Sequence, residues 1–264
     1  MKNVILFAII LSLCLPGCSS NPPQENPRLD LDDEDSIEVY LYRAFDYTKS
    51  GDYQKAIDDC NRVIAIDPGF GPAYNNRGVA YIYLKKFEEA RRDLDKAILL
   101  DPKDDLAYRN HGFLNFTTKQ YQDALLDLST AVQLNSKEAD NFFLRGRVYY
   151  VLEEYKKAEE DFNKALLWKP DYPRSWRGVC YYQLGRYGEA LEDLNAALKS
   201  EPDNDLLDNG FMYNIRGLTY FNMGNYQEAL NDFKEALRLN PLDATYQKNI
   251  DKTRELAGLA GIAL

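Results

Sequence analysis

The chain has 264 residues, a formal net charge of −10, four cysteines and one histidine. Nucleic-acid-binding proteins present a basic surface to phosphate groups, so this acidic balance argues against that class and favours a basic or apolar polypeptide partner. The few cysteines and the single histidine provide neither a zinc-binding spacing nor a disulfide framework.

Residues 1–17 predict a secretory signal, because Lys2 is the only charge and an apolar core runs from Val4 to Leu15. A core of this length is too short to span a bilayer, which requires about twenty residues. The Leu15-Pro16-Gly17-Cys18 ending resembles a bacterial lipobox, and the resemblance implies that Cys18 is lipidated and anchors the mature chain. The alternative is a signal without lipid, in which the cysteine is incidental.

The implied location is the bacterial cell envelope. In a host with two membranes, Ser19 after the cysteine implies sorting to the outer membrane, facing the periplasm. In a host with one membrane, the same anchor holds the protein at the cell surface.

Residues 18–36 predict a solvated tether, because they contain three prolines, no aromatic residue and a run of mutually repelling acidic side chains. An EF-hand would require glycine at the position of Asp35 and glutamate at the position of Leu41. No metal site is therefore predicted.

A motif that occurs six times dominates the remaining sequence. Each copy has an aromatic residue and, three residues later, an alanine: Tyr53 and Ala56, Phe87 and Ala90, Tyr121 and Ala124, Tyr155 and Ala158, Tyr187 and Ala190, Tyr226 and Ala229. Twelve residues before each alanine stands a small residue: Ala44, Gly78, Gly112, Gly146, Gly178 or Gly217. Twelve residues after it stands Pro68, Pro102, Ser136, Pro170, Pro202 or Pro241, and the first three intervals between alanines are 34 residues.

Small residues at this spacing allow two short antiparallel helices to approach closely, so each copy predicts a helical hairpin. The second helices are expected to open at Asp52, Lys86, Gln120, Glu154, Arg186 and Asn225, of which Asp52 and Asn225 are good N-caps. The proline ends the second helix, because it lacks an amide hydrogen and clashes with the preceding turn.

The period and the Gly/Tyr/Ala/Pro pattern resemble the tetratricopeptide repeat. The resemblance implies an all-α fold, a right-handed superhelical solenoid of six hairpins with a capping helix at its C-terminal end. The repeats are expected at about 37–70, 71–104, 105–138, 139–170, 171–204 and 210–243. Residues 244–264 are expected to form the capping helix and an apolar tail.

An insertion at Asp203 to Gly210 lengthens the last interval between alanines to 39 residues. It predicts a bulge between repeats, which is either a specificity loop or an inert length variation. Both readings stay open.

An arginine precedes the small residue of five first helices, and an aspartate follows sixteen residues later in every copy. We expect these pairs to join helices within or between neighbouring repeats, as a stabilising ladder. In the third copy, His111 replaces the arginine, so a structural role is expected for it. No phosphate loop, nucleophile elbow or catalytic constellation is present, and we predict a protein without enzymatic activity, catalytic residues or cofactors.

In tetratricopeptide arrays the first helices line a concave groove, with positions 2, 5, 9 and 12 of each repeat facing inward. This resemblance implies that an aromatic groove with two arginines binds a protein or peptide partner. The predicted partner-binding residues are Arg109, Phe113, Phe116, Phe143, Arg147, Tyr150, Tyr182 and Phe221. The alternative is that these rings pack one first helix on the next.

The carboxylate clamp of chaperone-binding arrays requires asparagine at position 9 of an early repeat. Phe45, Val79 and Phe113 occupy that position here. Docking to chaperones in the cytosolic manner is therefore not expected.

These features together predict a lipid-anchored scaffold that binds another protein during the assembly of an envelope complex. Its general layout is similar to lipoproteins that assist pilus and secretin assembly, and equally to adaptors of peptidoglycan hydrolases. A glycan-binding or enzymatic envelope protein that uses the same groove is the alternative, suggested by Asn75, Asn115 and Asn214 beside the aromatic residues.

Overall fold

The computed structural model describes residues 36–170, 174–199 and 208–261, and every regular element in these ranges is an α-helix. The first seven helices are α1 Ile37–Ser50, α2 Tyr53–Ile66, α3 Gly71–Tyr83, α4 Phe87–Leu100, α5 Asp105–Thr117, α6 Tyr121–Leu134 and α7 Ala139–Val151. The next six are α8 Tyr155–Trp168, α9 Arg174–Gln183, α10 Tyr187–Lys199, α11 Asn209–Asn222, α12 Tyr226–Leu239 and α13 Ala244–Leu259. The signal, Cys18, nearly all of the tether and most of the insertion lie outside the described residues.

The helices form consecutive hairpins, and α13 packs on α12 as the capping helix. This confirms the all-helical tetratricopeptide-type fold. The described residues divide into two compact units, here called the N-terminal unit, from Ser36 to Val148, and the C-terminal unit, from Tyr149 onward. Among the described residues, none of the helices combines the length and the apolar character needed to cross a bilayer.

The first and second helices of the hairpins begin in different ways. Side chains cap α1 and α5, where Ser36 accepts from the Val39 amide and Asp104 accepts from the Leu106 amide. The expectation that Asp52 and Asn225 cap second helices is wrong, because neither side chain makes a capping hydrogen bond.

The turn before each second helix sets the start of that helix instead. Lys85, Lys119 and Glu153 lie in these turns, two residues before the helix begins, and adopt a left-handed conformation with φ values of 59°, 63° and 62°. The Asp52 carboxylate accepts from Lys55 Nζ at 2.8 Å, one turn into its own helix.

The six recurrent alanines are fully buried, as the hairpin prediction requires. Opposite them the glycines are sites of close contact between the paired helices. A Cβ at Gly112 would lie 2.7 Å from Leu128 Cγ, and one at Gly217 would lie 2.8 Å from Phe233 Cε1. Glycine is therefore required by the size of the side chain on the second helix.

In the first hairpin, a different pair of residues forms the close contact between the two helices. Ala44 takes the place of the glycine, and Cys60 takes the place of the large apolar residue; both are fully buried in one cluster. The burial of Cys60 raises the pKa of its thiol to about 12, so this side chain is a small apolar core residue.

The predicted arginine–aspartate ladder is present. In each of four hairpins an arginine Nε and Nη2 donate to the two carboxylate oxygens of an aspartate, in the pairs Arg43–Asp59, Arg77–Asp93, Arg177–Asp193 and Arg216–Asp232. Bidentate pairs of this kind fix the relative position of the two helices. Arginine Nη1 also reaches the preceding hairpin, in the pairs Arg77–Asn61, Arg145–Ser129, Arg177–Asn163 and Arg216–Asn195.

His111 occupies the ladder position of the third hairpin, as expected for a structural residue. Its Nδ1 lies 2.8 Å from Asp127 Oδ2 in its own hairpin, and its Nε2 lies 3.3 Å from Asp95 Oδ1 in the preceding hairpin. Asn115 Nδ2 also donates to Asp127, at 2.7 Å. The imidazole therefore contacts a carboxylate of its own hairpin and lies close to one of the preceding hairpin, but its Nε2 makes no hydrogen bond to that second carboxylate.

Candidate functional site

Six of the eight predicted partner-binding side chains are buried. These are Arg109, Phe113, Phe116, Phe143, Arg147 and Tyr150, each at most 7% exposed. Tyr182 and Phe221 are only half-buried. The six therefore pack against other helices, the alternative that the sequence left open, and partner binding by any of the eight remains a prediction.

Arg109 is occupied by acidic groups of its own unit. Its Nη1 lies 3.8 Å from Glu138 Oε1 and 3.7 Å from Asp140 Oδ2 at the start of α7. The chain itself therefore supplies acidic groups close to this guanidinium. Arg109 joins α5 to α7 as a structural residue.

Arg147 is surrounded by aromatic rings. Its guanidinium carbon lies 5.3 Å from the centroid of the Phe116 ring and 5.8 Å from that of the Phe143 ring. Cation–π contacts of this kind stabilise a desolvated arginine between helices. In the C-terminal unit, Tyr150 packs edge-on against Trp176 at 5.6 Å between centroids.

The asparagines that suggested glycan binding are largely engaged within the chain. Asn115 donates to Asp127, and Asn214 Oδ1 accepts from Asn249 Nδ2 at 2.8 Å. Asn75 Oδ1 accepts from Asn110 Nδ2 at 3.0 Å, and the amide nitrogens of Asn75 and Asn214 donate to no other described residue. Glycan binding therefore remains a prediction.

A cavity of about 410 Å³ opens in the N-terminal unit between α1, α3, the end of α4 and the start of α5. We call it the N-terminal cavity. It is lined by Leu41, Tyr42, Phe45, Gly69, Gly71, Pro72, Asn75, Asn76, Ala97, Leu100, Asp101, Asp104 and Leu106. Ligand sites commonly enclose about 300–1,000 Å³, so this cavity is large enough for one or two side chains of a partner.

The lining of the N-terminal cavity combines apolar surface with amides. Leu41, Phe45 and Leu106 are half-buried and supply the apolar part. Asn76 is also half-buried, and its side chain makes no hydrogen bond within the described ranges. Such a surface can hold an apolar side chain and bond the adjoining peptide backbone.

Sequence reasoning included Leu41, Phe45 and Asn75 among the inward-facing positions but did not choose them as binding residues. It missed the other cavity residues, although position 2 of the repeat identifies Pro72 and Leu106. Asp101 and Asp104 lie in the turn between hairpins, which the inward-facing positions do not cover.

Three solved structures show the extent of the likeness to known folds. A structure described as the functional characterisation of Pseudomonas aeruginosa pilF aligns with a TM-score of 0.72 and 20% identity, over 82% of this chain and 96% of that chain. The Cut9–Hcn1 hetero-tetramer of APC/C aligns with a TM-score of 0.72 and 18% identity, over 84% of this chain and 44% of that chain. YrrB, described as a TPR protein with an unusual peptide-binding site, aligns with a TM-score of 0.59 and 22% identity, over 73% of this chain and 97% of that chain. At these identities the likeness concerns the fold alone.

The sequence profiles of the tetratricopeptide repeat match residues 37–70, 71–104, 139–172, 174–204 and 211–242, which is more than half of the chain. The matches pass over residues 105–138, where α5 and α6 nevertheless form the same hairpin. A comparison with curated proteins found no significant match. The chain therefore belongs to the tetratricopeptide repeat family, whose members are protein-interaction scaffolds and in general not enzymes.

Proposed function

We propose that this protein is a lipid-anchored scaffold of the bacterial cell envelope that binds a peptide segment of a partner in the N-terminal cavity. The proposed binding site is supported by the lining of the cavity, in which apolar side chains lie beside asparagine amides. An extended peptide presents both an apolar side chain and unpaired backbone groups, so it matches this lining. The partner is a protein of the same envelope compartment.

The anchoring part of the proposal is supported by the sequence around Cys18 and by the apolar core before it. A multiply acylated cysteine holds a protein stably at a membrane, because each buried methylene contributes about 0.8 kcal/mol. The tether then separates the repeats from the bilayer. The fold that the chain shares with pilF and YrrB is consistent with a scaffold and identifies no partner.

A displayed peptide library, selected on the purified chain, tests the binding site. Leu106→Ala removes apolar lining from the N-terminal cavity, and we expect it to weaken the selected peptides at least about tenfold. Leu126→Ala is the matched control, because Leu126 is 69% exposed and lies outside the cavity. Failure to select any peptide, or equal binding by the Leu106 variant while circular dichroism stays helical, would refute the site.

A separate experiment tests anchoring and location. Cys18→Ala is expected to move the protein from the membrane fraction to the soluble fraction of the producing bacterium and to abolish labelling by palmitate. Unchanged fractionation of the Cys18 variant would count against the lipid anchor without affecting the peptide site.

The partner itself can be sought with a photocrosslinking amino acid at position 45, inside the N-terminal cavity, in intact cells. The same amino acid at position 126 provides the control on the exposed surface. An envelope protein crosslinked from position 45 and not from position 126 supports the proposed scaffold. Equal products from both positions contradict it.

A further inference from the structure

Two carboxylates of the N-terminal cavity, Asp101 and Asp104, lack a cationic partner in the described part of the chain. Asp101 Oδ1 accepts from the Lys103 amide at 2.9 Å, and Asp104 Oδ1 accepts from the Leu106 amide at 3.0 Å. Neither carboxylate belongs to an ion pair among the described residues, and the residues lining the cavity include no lysine, arginine or histidine. The cavity therefore has negative charges that nothing in its lining balances.

This arrangement differs from that of the aspartates in the ladder. Asp59 and Asp93, for example, are buried, and each receives the Nε and Nη2 donors of an arginine. Asp104 is half-buried without such a partner, and this burial raises the pKa of its carboxyl, against the lowering effect of its backbone hydrogen bonds. A positive group from another molecule would offset that cost of desolvation.

Asn75 provides a second feature that points to a ligand. Its side chain is almost completely buried, at 1% exposure, and it lines the N-terminal cavity. Asn75 Oδ1 accepts from Asn110 Nδ2 at 3.0 Å, whereas its own Nδ2 donates to no other described residue. A buried amide donor of this kind is satisfied by an oxygen acceptor such as a peptide carbonyl.

The apolar lining lies in the same cavity as these polar groups. Leu41 and Phe45 come from α1 and Leu106 comes from α5, two residues after the Asp104 carboxylate. A chain that places an aliphatic side chain against these residues also brings its neighbouring side chains to Asp101 and Asp104. Charge and apolar surface thus favour the same kind of occupant.

We infer that the occupant of the N-terminal cavity is an extended segment in which a lysine or arginine neighbours a large aliphatic side chain. Asp101 and Asp104 bind the positive charge, the Asn75 amide donates to a backbone carbonyl, and Leu41, Phe45 and Leu106 enclose the aliphatic side chain. This inference rests on the proposed peptide-binding function and specifies the chemistry of its partner.

The test uses four fluorescein-labelled peptides that share a leucine-containing frame and differ at one neighbouring position, which is lysine, arginine, norleucine or glutamate. Fluorescence anisotropy with the full chain is expected to show about tenfold tighter binding of the lysine and arginine peptides than of the norleucine peptide, with the glutamate peptide weakest. Added salt reduces this preference, because it screens the charges.

The decisive variant is Asp101→Asn with Asp104→Asn, which removes both charges while keeping the hydrogen-bond acceptors. The chain itself contains this exchange, since Asn135 occupies the position of Asp101 in the next hairpin and accepts from the Lys137 amide in the same way. Asparagine is also a good N-cap in place of Asp104. Asp58→Asn with Asp123→Asn makes the same change of charge at exposed sites outside the cavity.

The double variant at 101 and 104 is expected to bind all four peptides about equally, at the affinity of the norleucine peptide, whereas the control keeps the preference. A preference that survives in the variant at 101 and 104, or that is absent from the unmodified chain, overturns the inference and leaves the peptide site intact. If none of the peptides binds, or if Leu106→Ala does not weaken them, the proposed peptide site is itself refuted.

Discussion

Replacing Gly112 by alanine tests whether close helix contact is the reason for the recurrent glycines. A Cβ at this position would lie 2.7 Å from Leu128 Cγ and 3.3 Å from the Ala124 carbonyl oxygen. Overpacking of this kind lowers the free energy of unfolding by about 1–3 kcal/mol. The exchange of glycine for alanine within a helix raises it by about 0.5–1 kcal/mol. We expect Gly112→Ala to lower the free energy of unfolding by up to about 2.5 kcal/mol.

Gly188 provides the matched control, because it also lies in a helix and a Cβ there would have no atom within 4 Å. Gly188→Ala gains the conformational term without the clash. In urea unfolding followed by far-UV circular dichroism, the two variants should differ by about 1–3 kcal/mol, with the Gly112 variant less stable. A Gly112 variant as stable as the Gly188 variant would refute the explanation by close contact.

The first hairpin provides a rescue experiment. Ala44 and Cys60 occupy the positions of Gly112 and Leu128, so a shorter side chain on the second helix accommodates a Cβ on the first. Leu128→Cys is destabilising by itself, because it leaves a cavity. Combined with Gly112→Ala, it is expected to cost less than the sum of the two single variants, by about 1–3 kcal/mol. Strict additivity would show that the two side chains do not compete for space.

Three further predictions concern the ladder, the turns and the core. Arg77→Ala leaves the buried Asp93 carboxylate without its bidentate partner, and it should lower the free energy of unfolding in urea by about 3–5 kcal/mol. The control Arg254→Ala breaks an exposed contact of 4.0 Å, and it should lower the free energy of unfolding by less than about 1 kcal/mol. Lys85→Gly should stabilise the protein by up to about 1 kcal/mol, because residue 85 has a φ of 59°; a loss of stability would contradict this. Burial raises the pKa of the Cys60 thiol from 9.0 to about 12. The stability that the protonated thiol contributes is therefore complete below about pH 9 and declines as the pH rises toward 12. Cys60→Ala should reduce the loss of stability at alkaline pH.

The hairpins and their crossings were predictable because the reason for them is local. Small residues twelve positions apart are needed wherever two paired helices touch, so Gly78 and Ala90 could be assigned roles without coordinates. The ladder was predictable for the same reason, since Arg77 and Asp93 keep a constant separation in the sequence. Even His111 was correctly expected to be structural, because its position in the repeat identified the arginine that it replaces.

The residues of the candidate site were harder to predict, because the exposure of a side chain depends on which side chains the neighbouring helices pack against it. Repeat position alone does not distinguish Phe45, which lines the N-terminal cavity, from Phe113, which occupies the same repeat position and is buried. The acidic contacts of Arg109 were not foreseen, because they come from the start of α7, in a different hairpin. The N-cap role expected of Asp52 failed because the left-handed turn already sets the direction of the second helix.

The contacts described above differ in how they would survive duplication or deletion of a repeat. Gly112 and Leu128 belong to one hairpin, so a copied or exchanged hairpin brings both members of the pair with it. His111 and Asp95 belong to neighbouring hairpins, and a recombination event between them would separate the two residues. A hairpin such as the third can therefore be copied without a steric penalty inside it, whereas contacts between neighbouring hairpins, such as His111 with Asp95 or Arg77 with Asn61, are kept only when both hairpins are copied together.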